Sequence, residues 1–166
     1  ALRTDYVDLY QFHSPSDDEF ANEALWERLK RLQEAGKIRH IGISISKNEN
    51  LYQVESAPAA GAEAIQLVYN RLDIAPEEEV LPACRRLDLG VLARVPFPKG
   101  DWRSRRDEEE LRRRIDDARQ VEETEVPEDV PMSEWALAWV LKHPAVTCTI
   151  PGCKSVEHVR ANARSV

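Results

Sequence analysis

The sequence predicts an α/β fold built on a parallel sheet. Three observations predict it. Apolar, β-prone runs alternate with segments of helical period five times along the 166 residues, the pattern that generates β-α-β units. Runs such as Leu67-Val68-Tyr69 and Val91-Leu92-Ala93 lack strict apolar-polar alternation, as strands buried on both faces do. Polar residues also recur where these strands end, the place where parallel α/β folds gather ligand groups.

Residues 6–13 alternate and are rich in aromatics, which reads as the first strand. A helix is expected over 19–35, with Leu25, Leu29 and Leu32 at helical spacing and Gly36 as its terminator. Residues 38–45 form the next strand, and a polar break at Ser46-Lys47-Asn48 leads to a helix over 49–60. The third strand is the short apolar run 64–69. Pro76 suits the first position of a helix running to Leu87, with Glu77, Glu78 and Glu79 complementing its dipole. Gly90 closes that turn and 91–95 is the fourth strand. A very polar helix over 103–123 carries a narrow stripe of Leu111, Ile115 and Ala118. Ser133 is expected to cap a more apolar helix that includes Trp135, Leu137 and Trp139. Residues 146–150 are the fifth strand, and a last helix begins at Ser155.

The length suffices for one domain with a real core, taken as 1–166. Hydrophobic residues make up 42% and charged residues 32%, a soluble globular composition. No apolar run approaches the roughly 20 residues that span a bilayer, and the N-terminus has no signal-peptide core; no membrane partner is expected. The net charge of −7 argues against a nucleic-acid binder. Cys84, Cys148 and Cys153 lack metal-type spacing and read as reduced thiols of a cytoplasmic protein. The four histidines share no ligand spacing, so no metal is expected. There is no glycine-rich dinucleotide or Walker loop and no nucleophile elbow.

His13 ends the first strand, Ser44 lies near the end of the second, Gln66 and Asn70 sit in and after the third, and Arg94 ends the fourth. A single strand-end polar residue is uninformative; these four strand ends, with the turn after the fifth strand, point to one pocket. His13 can be a strand-end histidine bonded to a carbonyl, or a donor that polarises a substrate oxygen. Gln66 can be a satisfied core amide, or can hold a ligand carboxamide at two points. Arg94 needs a partner if buried, and Asp73 or a ligand anion can serve. After the fifth strand, Pro151-Gly152-Cys153-Lys154-Ser155 opens a helix. Free backbone N–H groups, the helix dipole and the Lys154 cation suit an anion there. The same turn also fits an ordinary loop with a serine N-cap.

These residues resemble the aldo-keto reductase family. The stretch Asp5-Tyr6-Val7-Asp8-Leu9-Tyr10-Gln11-Phe12-His13-Ser14-Pro15 is similar to the family strand that delivers an active-site histidine. Gly36-Lys37-Ile38-Arg39-His40-Ile41-Gly42-Ile43-Ser44, Gln66-Leu67-Val68-Tyr69-Asn70 and Ile150-Pro151-Gly152 match further blocks in family order over nearly the whole chain. The resemblance implies a TIM (β/α)₈ barrel of the NADP-dependent oxidoreductase type and reduction of a small aldehyde or ketone to an alcohol with NADPH. It implies that His13 orients the substrate carbonyl, and that Ser44 and Gln66 hold the nicotinamide carboxamide. Arg94 falls where an aromatic residue commonly stacks on that ring. It implies that Gly152, Lys154 and Ser155 cradle the 2′-phosphate, that Asn162 meets the adenine, and that Pro151 and His158 are among the cofactor-binding residues.

The sequence also departs from the family pattern. Ile45 and Ala161 stand where Asn and Glu are usual, and His158 where Arg or Gln is frequent. The segment between Phe97 and Trp102 is shorter than the usual cofactor-covering loop. About five strand-helix units are present, so the expectation is a partial barrel covering family strands four to eight. The family's catalytic Tyr, Lys and Asp have no assignable counterparts here, and the chain alone is expected to be inactive. Two open sheet edges would invite a complementary N-terminal half or self-association. The rival expectation is a non-catalytic barrel fragment or regulatory subunit that binds NADPH or a partner chain. A third is an unrelated barrel using the last loop for a phosphorylated substrate.

Overall fold

The structure is a computed structural model in which residues 3–97 and 108–165 are described. Five parallel strands alternate with helices and lie in sequence order: β1 (Val7–His13), β2 (Ile38–Ser44), β3 (Ala64–Val68), β4 (Gly90–Arg94) and β5 (Cys148–Ile150). The chain clusters into two compact units. The first runs to Leu67 and takes in Ala75–Leu92; the second holds Val68–Ile74 and the described residues from Ala93 on.

In the first unit β2 pairs in parallel with both neighbours. Gln11 lies opposite Gly42, His13 opposite Ser44, and Ser44 opposite Gln66. The last four residues of β2, from Ile41 to Ser44, are all buried, as expected of a strand covered on both faces. β1 alternates instead, and Tyr10 is 48% exposed.

The single helix expected over 19–35 is two. Ser16 and Glu19 form a capping box that starts α1 (Asp17–Phe20), and α2 (Glu23–Glu34) begins after Asn22. The break has a local cause. The Phe20 carbonyl accepts the Trp26 indole N–H at 2.6 Å, and Phe12 and Phe20 meet the Trp26 ring edge-on at 5.8 and 5.2 Å. Gly36 follows α2 at φ +70°, a conformation that costs a side chain energy. α3 (Leu51–Ala60) ends on Gly61 in the left-handed region. Pro76 does not open a long helix. It sits in a 3₁₀ turn, Ala75–Glu77, and α4 (Val80–Arg86) starts separately.

In the second unit a buried amide organises the chain after β3. Asn70 is 1% exposed. Its Nδ2 donates to Asp73 Oδ2 at 2.8 Å and to the Val95 carbonyl at 3.0 Å, while its Oδ1 accepts from Leu72 and Asp73 N–H at 2.9 and 3.1 Å. Val95 has φ +54°, an outlier for a β-branched residue that its surroundings must hold in place. α5 (Glu108–Glu125) packs through a face shifted from the expected stripe. Ala118 and Val121 are buried, whereas Ile115 is 38% exposed. Arg114 and Glu125 flank that face and clamp Asp73 and Arg71, with closest contacts of 2.9 and 2.7 Å. The start of the helix expected at 103, and the segment between Phe97 and Trp102, lie outside the described residues.

α6 (Met132–Leu141) has Pro131 at its N-cap and no side-chain cap, so Ser133 lies inside the helix. Ala136, Leu137 and Val140 are its buried residues, and Trp139 leans on Tyr69 at 5.3 Å. α7 (Val156–Arg164) has no buried residue. Among the described residues no helix is long and apolar enough to cross a membrane.

The Asp73–Arg114 pair generates a pH-dependent prediction. Burial raises the Asp73 carboxyl, but hydrogen bonds from Arg114 and Asn70 outweigh it and hold the group below the usual carboxylate range. A depressed folded value contributes stability above the unfolded carboxylate range, and this is lost as pH falls through the folded value. Arg114→Ala should lower stability near pH 7 by about 1.5–3 kcal/mol, the usual worth of a charge-assisted bond. Urea melts of both proteins should show the gap narrowing as the pH is lowered into the acid range.

Candidate functional site

Three residues meet at the carboxyl ends of β1, β2 and β3 in the first unit. Gln66 Nε2 donates to Ser44 Oγ at 3.1 Å, and Gln11 Nε2 donates to Gln66 Oε1 at 3.0 Å. The structure therefore brings Ser44 and Gln66 together. Parallel pairing does this, because the two residues are register partners and side chains alternate along strands with period two. Ser44 is 3% exposed. His13 closes β1 as the register partner of Ser44 and is exposed. Its imidazole has no hydrogen-bond partner among the described residues, so the reading of a strand-end histidine bonded to a carbonyl is not what the structure shows. The Ser44 carbonyl instead accepts the N–H of Ser14 at 2.7 Å, and Ser14 turns the chain away at φ +53°.

Gln11 was not assigned a role from the sequence. The signal that could have marked it is its spacing of two residues from His13, which sets both on one face of β1. Its Oε1 is buried without a hydrogen-bond partner. Gly42 makes room for it. A Cβ at Gly42 would lie 3.0 Å from the Ala64 carbonyl oxygen and 3.3 Å from Gln11 Cγ.

Gly152, His158 and Asn162 come together in the second unit. With Phe97, Met132 and Ser133 they line a cleft of about 430 Å³, within the size range of small-molecule sites. Gly152 brings backbone to that cleft: among the described residues, a Cβ added to it would meet nothing within 4 Å. Pro151 is half-buried and Lys154 is exposed. Asn162 Nδ2 donates to Cys153 Sγ at 3.0 Å, which ties the loop to α7. Ser155 is the α7 N-cap and its hydroxyl oxygen accepts the His158 N–H at 3.2 Å. Glu157 accepts from its own N–H and from the Ser155 hydroxyl, and these bonds hold its carboxyl below the usual range.

Arg94 is half-buried at the end of β4, and its carbonyl accepts the Tyr69 N–H at 3.3 Å. Asp73, its expected partner, is taken by Arg114 and Asn70. Among the described residues the Arg94 guanidinium has no carboxylate partner. Cys84 is a buried free thiol, pushed up to about 12 by desolvation. Cys153 is free and exposed.

An amide-hydroxyl row suits a carboxamide, and bare backbone beside a lysine and a helix N-terminus suits phosphate. The Aldo/keto reductase family profile matches residues 1–166, and the chain belongs to that family. It is 30% identical to an uncharacterized oxidoreductase, YqkF, of Bacillus subtilis, over 99% of this chain and 56% of that protein. It is 27% identical to the NADP(+) aldo-keto reductase yakc of Schizosaccharomyces pombe, over 97% of this chain and 53% of that one. Among solved structures, the holo form of an aldo-keto reductase from Bacillus halodurans matches with a TM-score of 0.80 and 32% identity, over 99% of this chain and 57% of that one. An aldo/keto reductase from Klebsiella pneumoniae in complex with NADP and acetate matches with a TM-score of 0.72 and 27% identity, over 99% and 54% of the two chains. The chain spans about half the length of the curated relatives it matches.

Gly42 offers a test of the first cluster. Gly42→Ala should destabilise the protein by about 1–3 kcal/mol through crowding, offset by less than about 1 kcal/mol from the stiffer unfolded chain. Denaturant midpoints measure the loss.

Proposed function

We propose that this chain holds the cofactor and orients the substrate in NADPH-dependent reduction of an aldehyde or ketone to an alcohol. One observation carries the reading: the Gln66–Ser44 hydrogen bond, with His13 in register beside Ser44. The bound nicotinamide supplies hydride to the carbonyl carbon. The chain's own residues bind and aim. Ser44 and Gln66 hold the carboxamide, and Arg94 lies against the ring as a flat cation. His13, exposed at a strand end, donates to the carbonyl oxygen and fixes its direction. Gly152, Lys154 and Ser155 receive the 2′-phosphate and Asn162 meets the adenine, with Pro151 and His158 beside them in the cofactor site. Family membership and an NADP-bound relative support the cofactor class.

A proton must reach the substrate oxygen, and the Tyr, Lys and Asp that serve the family for this have no assignable counterparts here. A complementary chain that supplies them is the proposed partner. A second reading, that the chain works chiefly as a binding module, is favoured by α7. Its Val156 and Val159, three residues apart on the helix, are 61% and 53% exposed and could seat a partner. Native mass separates the two: a heteromeric complex with a Tyr- and Lys-bearing chain supports the enzyme, and a self-paired inactive species supports the module.

Two measurements test the main reading. Purified chain alone should leave NADPH absorbance unchanged when aldehydes or ketones are added, and carbonyl-dependent oxidation would disprove its dependence on a partner. Lys154→Ala should weaken NADPH binding by about 1.5–3 kcal/mol, the worth of a charge-assisted contact, while NADH changes little. Equal weakening of both cofactors would remove Lys154 from the phosphate site.

A further inference from the structure

We propose that Gln11 is a positioning residue for the cofactor carboxamide: it fixes the direction of the hydrogen-bond row Gln11→Gln66→Ser44 and so makes the Ser44 hydroxyl an outward donor. The inference rests on the assignment of Ser44 and Gln66 to the carboxamide and adds the residue that sets their polarity.

The row has two possible directions. In the one present, Gln11 Nε2 donates to Gln66 Oε1 at 3.0 Å and Gln66 Nε2 donates to Ser44 Oγ at 3.1 Å. Ser44 Oγ accepts from within the protein, so its own proton must point to another acceptor. In the reverse direction Ser44 would donate inward and turn lone pairs toward the ligand. The head of the row decides between them. Gln11 Oε1 is buried with no partner among the described residues. Reversal would put the Gln11 N–H pair at that unpartnered place, and a buried orphan donor is rarer and costlier than an under-satisfied carbonyl. The environment of Gln11 therefore selects the sense in which Ser44 donates. Successive bonds of one sense polarise each other, which strengthens the terminal donor.

Two further observations place Gln11 in the site rather than in general packing. It lies two residues before His13 on β1, hence on the same face. Its side chain also depends on a glycine across the ladder, since a Cβ at Gly42 would sit 3.3 Å from Gln11 Cγ. Gln53 is a useful contrast. It too has a buried unpartnered Oε1, but its Nε2 ties Pro15 and Asp17 at 3.0 and 2.9 Å, a link between loop and helix.

The ligand recognised is an acceptor oxygen on the pyridine ring: the carboxamide carbonyl of a nicotinamide dinucleotide. Three probes separate the possibilities: NADP(+), its nicotinic acid analogue with a carboxylate in place of the amide, and 2′,5′-ADP, which lacks the ring. Binding is read on the purified chain by calorimetry at pH 8, for wild type, Gln11→Met and Gln11→Glu. Gln11→Met keeps length and removes both polar atoms, so the row loses its fixed sense and NADP(+) should bind roughly three- to tenfold more weakly. Gln11→Glu can only accept from Gln66, reverses the row and turns Ser44 lone pairs outward. It should weaken the acid analogue at least tenfold more than it weakens NADP(+), because acceptor then faces acceptor and like charges approach. Binding of 2′,5′-ADP should be unchanged in both variants.

A merely structural role for Gln11 would leave the ratio of acid to amide affinity at its wild-type value. An unchanged ratio in Gln11→Glu, or unweakened NADP(+) binding in Gln11→Met, with 2′,5′-ADP still bound, overturns the inference and leaves the cofactor reading standing. Absence of NADP(+) binding to the wild-type chain overturns both.

Discussion

The parallel register of β2 between β1 and β3 is the constraint on which the rest of the first unit depends. It sets Gly42 opposite Gln11 and places Ser44 between His13 and Gln66. Side chains change face at every residue, so a slip of one position would send Gln66 away from Ser44 and drive a side chain into the space Gly42 leaves. The buried isoleucines around them resist such a slip. Ile41, Ile43, Ile45 and Ile65 are at most 1% exposed, and a shifted strand would bring them to water at about 25 cal/mol per Å² of apolar surface. Hydrophobic burial thus fixes the register, and the register fixes the polar row.

The second unit relies on a different device. Asn70 satisfies two backbone N–H groups, a carbonyl and a carboxylate with one buried amide. That network holds Val95 in a costly conformation at the end of β4 and presents Asp73 to Arg114. α5 is consequently anchored by ion pairs on either side of a narrow apolar face. The arrangement suits a helix whose composition is too polar to be held by burial alone.

Each unit also carries a set of ligand-type groups whose polarity its own bonding has decided. In the first, donors and acceptors are ordered into a row that ends at Ser44. In the second, the α7 N-terminus is capped by Ser155 and partly neutralised by Glu157. The Ser155 hydroxyl oxygen there already accepts the His158 N–H, so part of its capacity is taken up within the protein. This differs from the simple picture of an open helix N-terminus beside a lysine. Family membership accounts for which residue types stand at these positions, and the hydrogen bonds account for what remains available to a ligand.

The strands, their order and the family were legible in the sequence, because periodicity, glycine placement and block order are local properties. His13, Ser44, Gln66 and the loop 151–155 were legible as strand-end polar residues. Other features depended on distant partners and could not be read locally. The buried face of α5 is set by Asp73 and Arg71, dozens of residues away. Asp73 pairs with Arg114 and Asn70 rather than Arg94, and Gln11 meets Gln66 only when β1 lies against β2 and β3. The sequence by itself determined the elements and the kinds of groups at the strand ends. Tertiary structure decided which of those groups meet and which atoms they leave unpaired, because a hydrogen bond is fixed by the position of its partner and not by the residue that offers it.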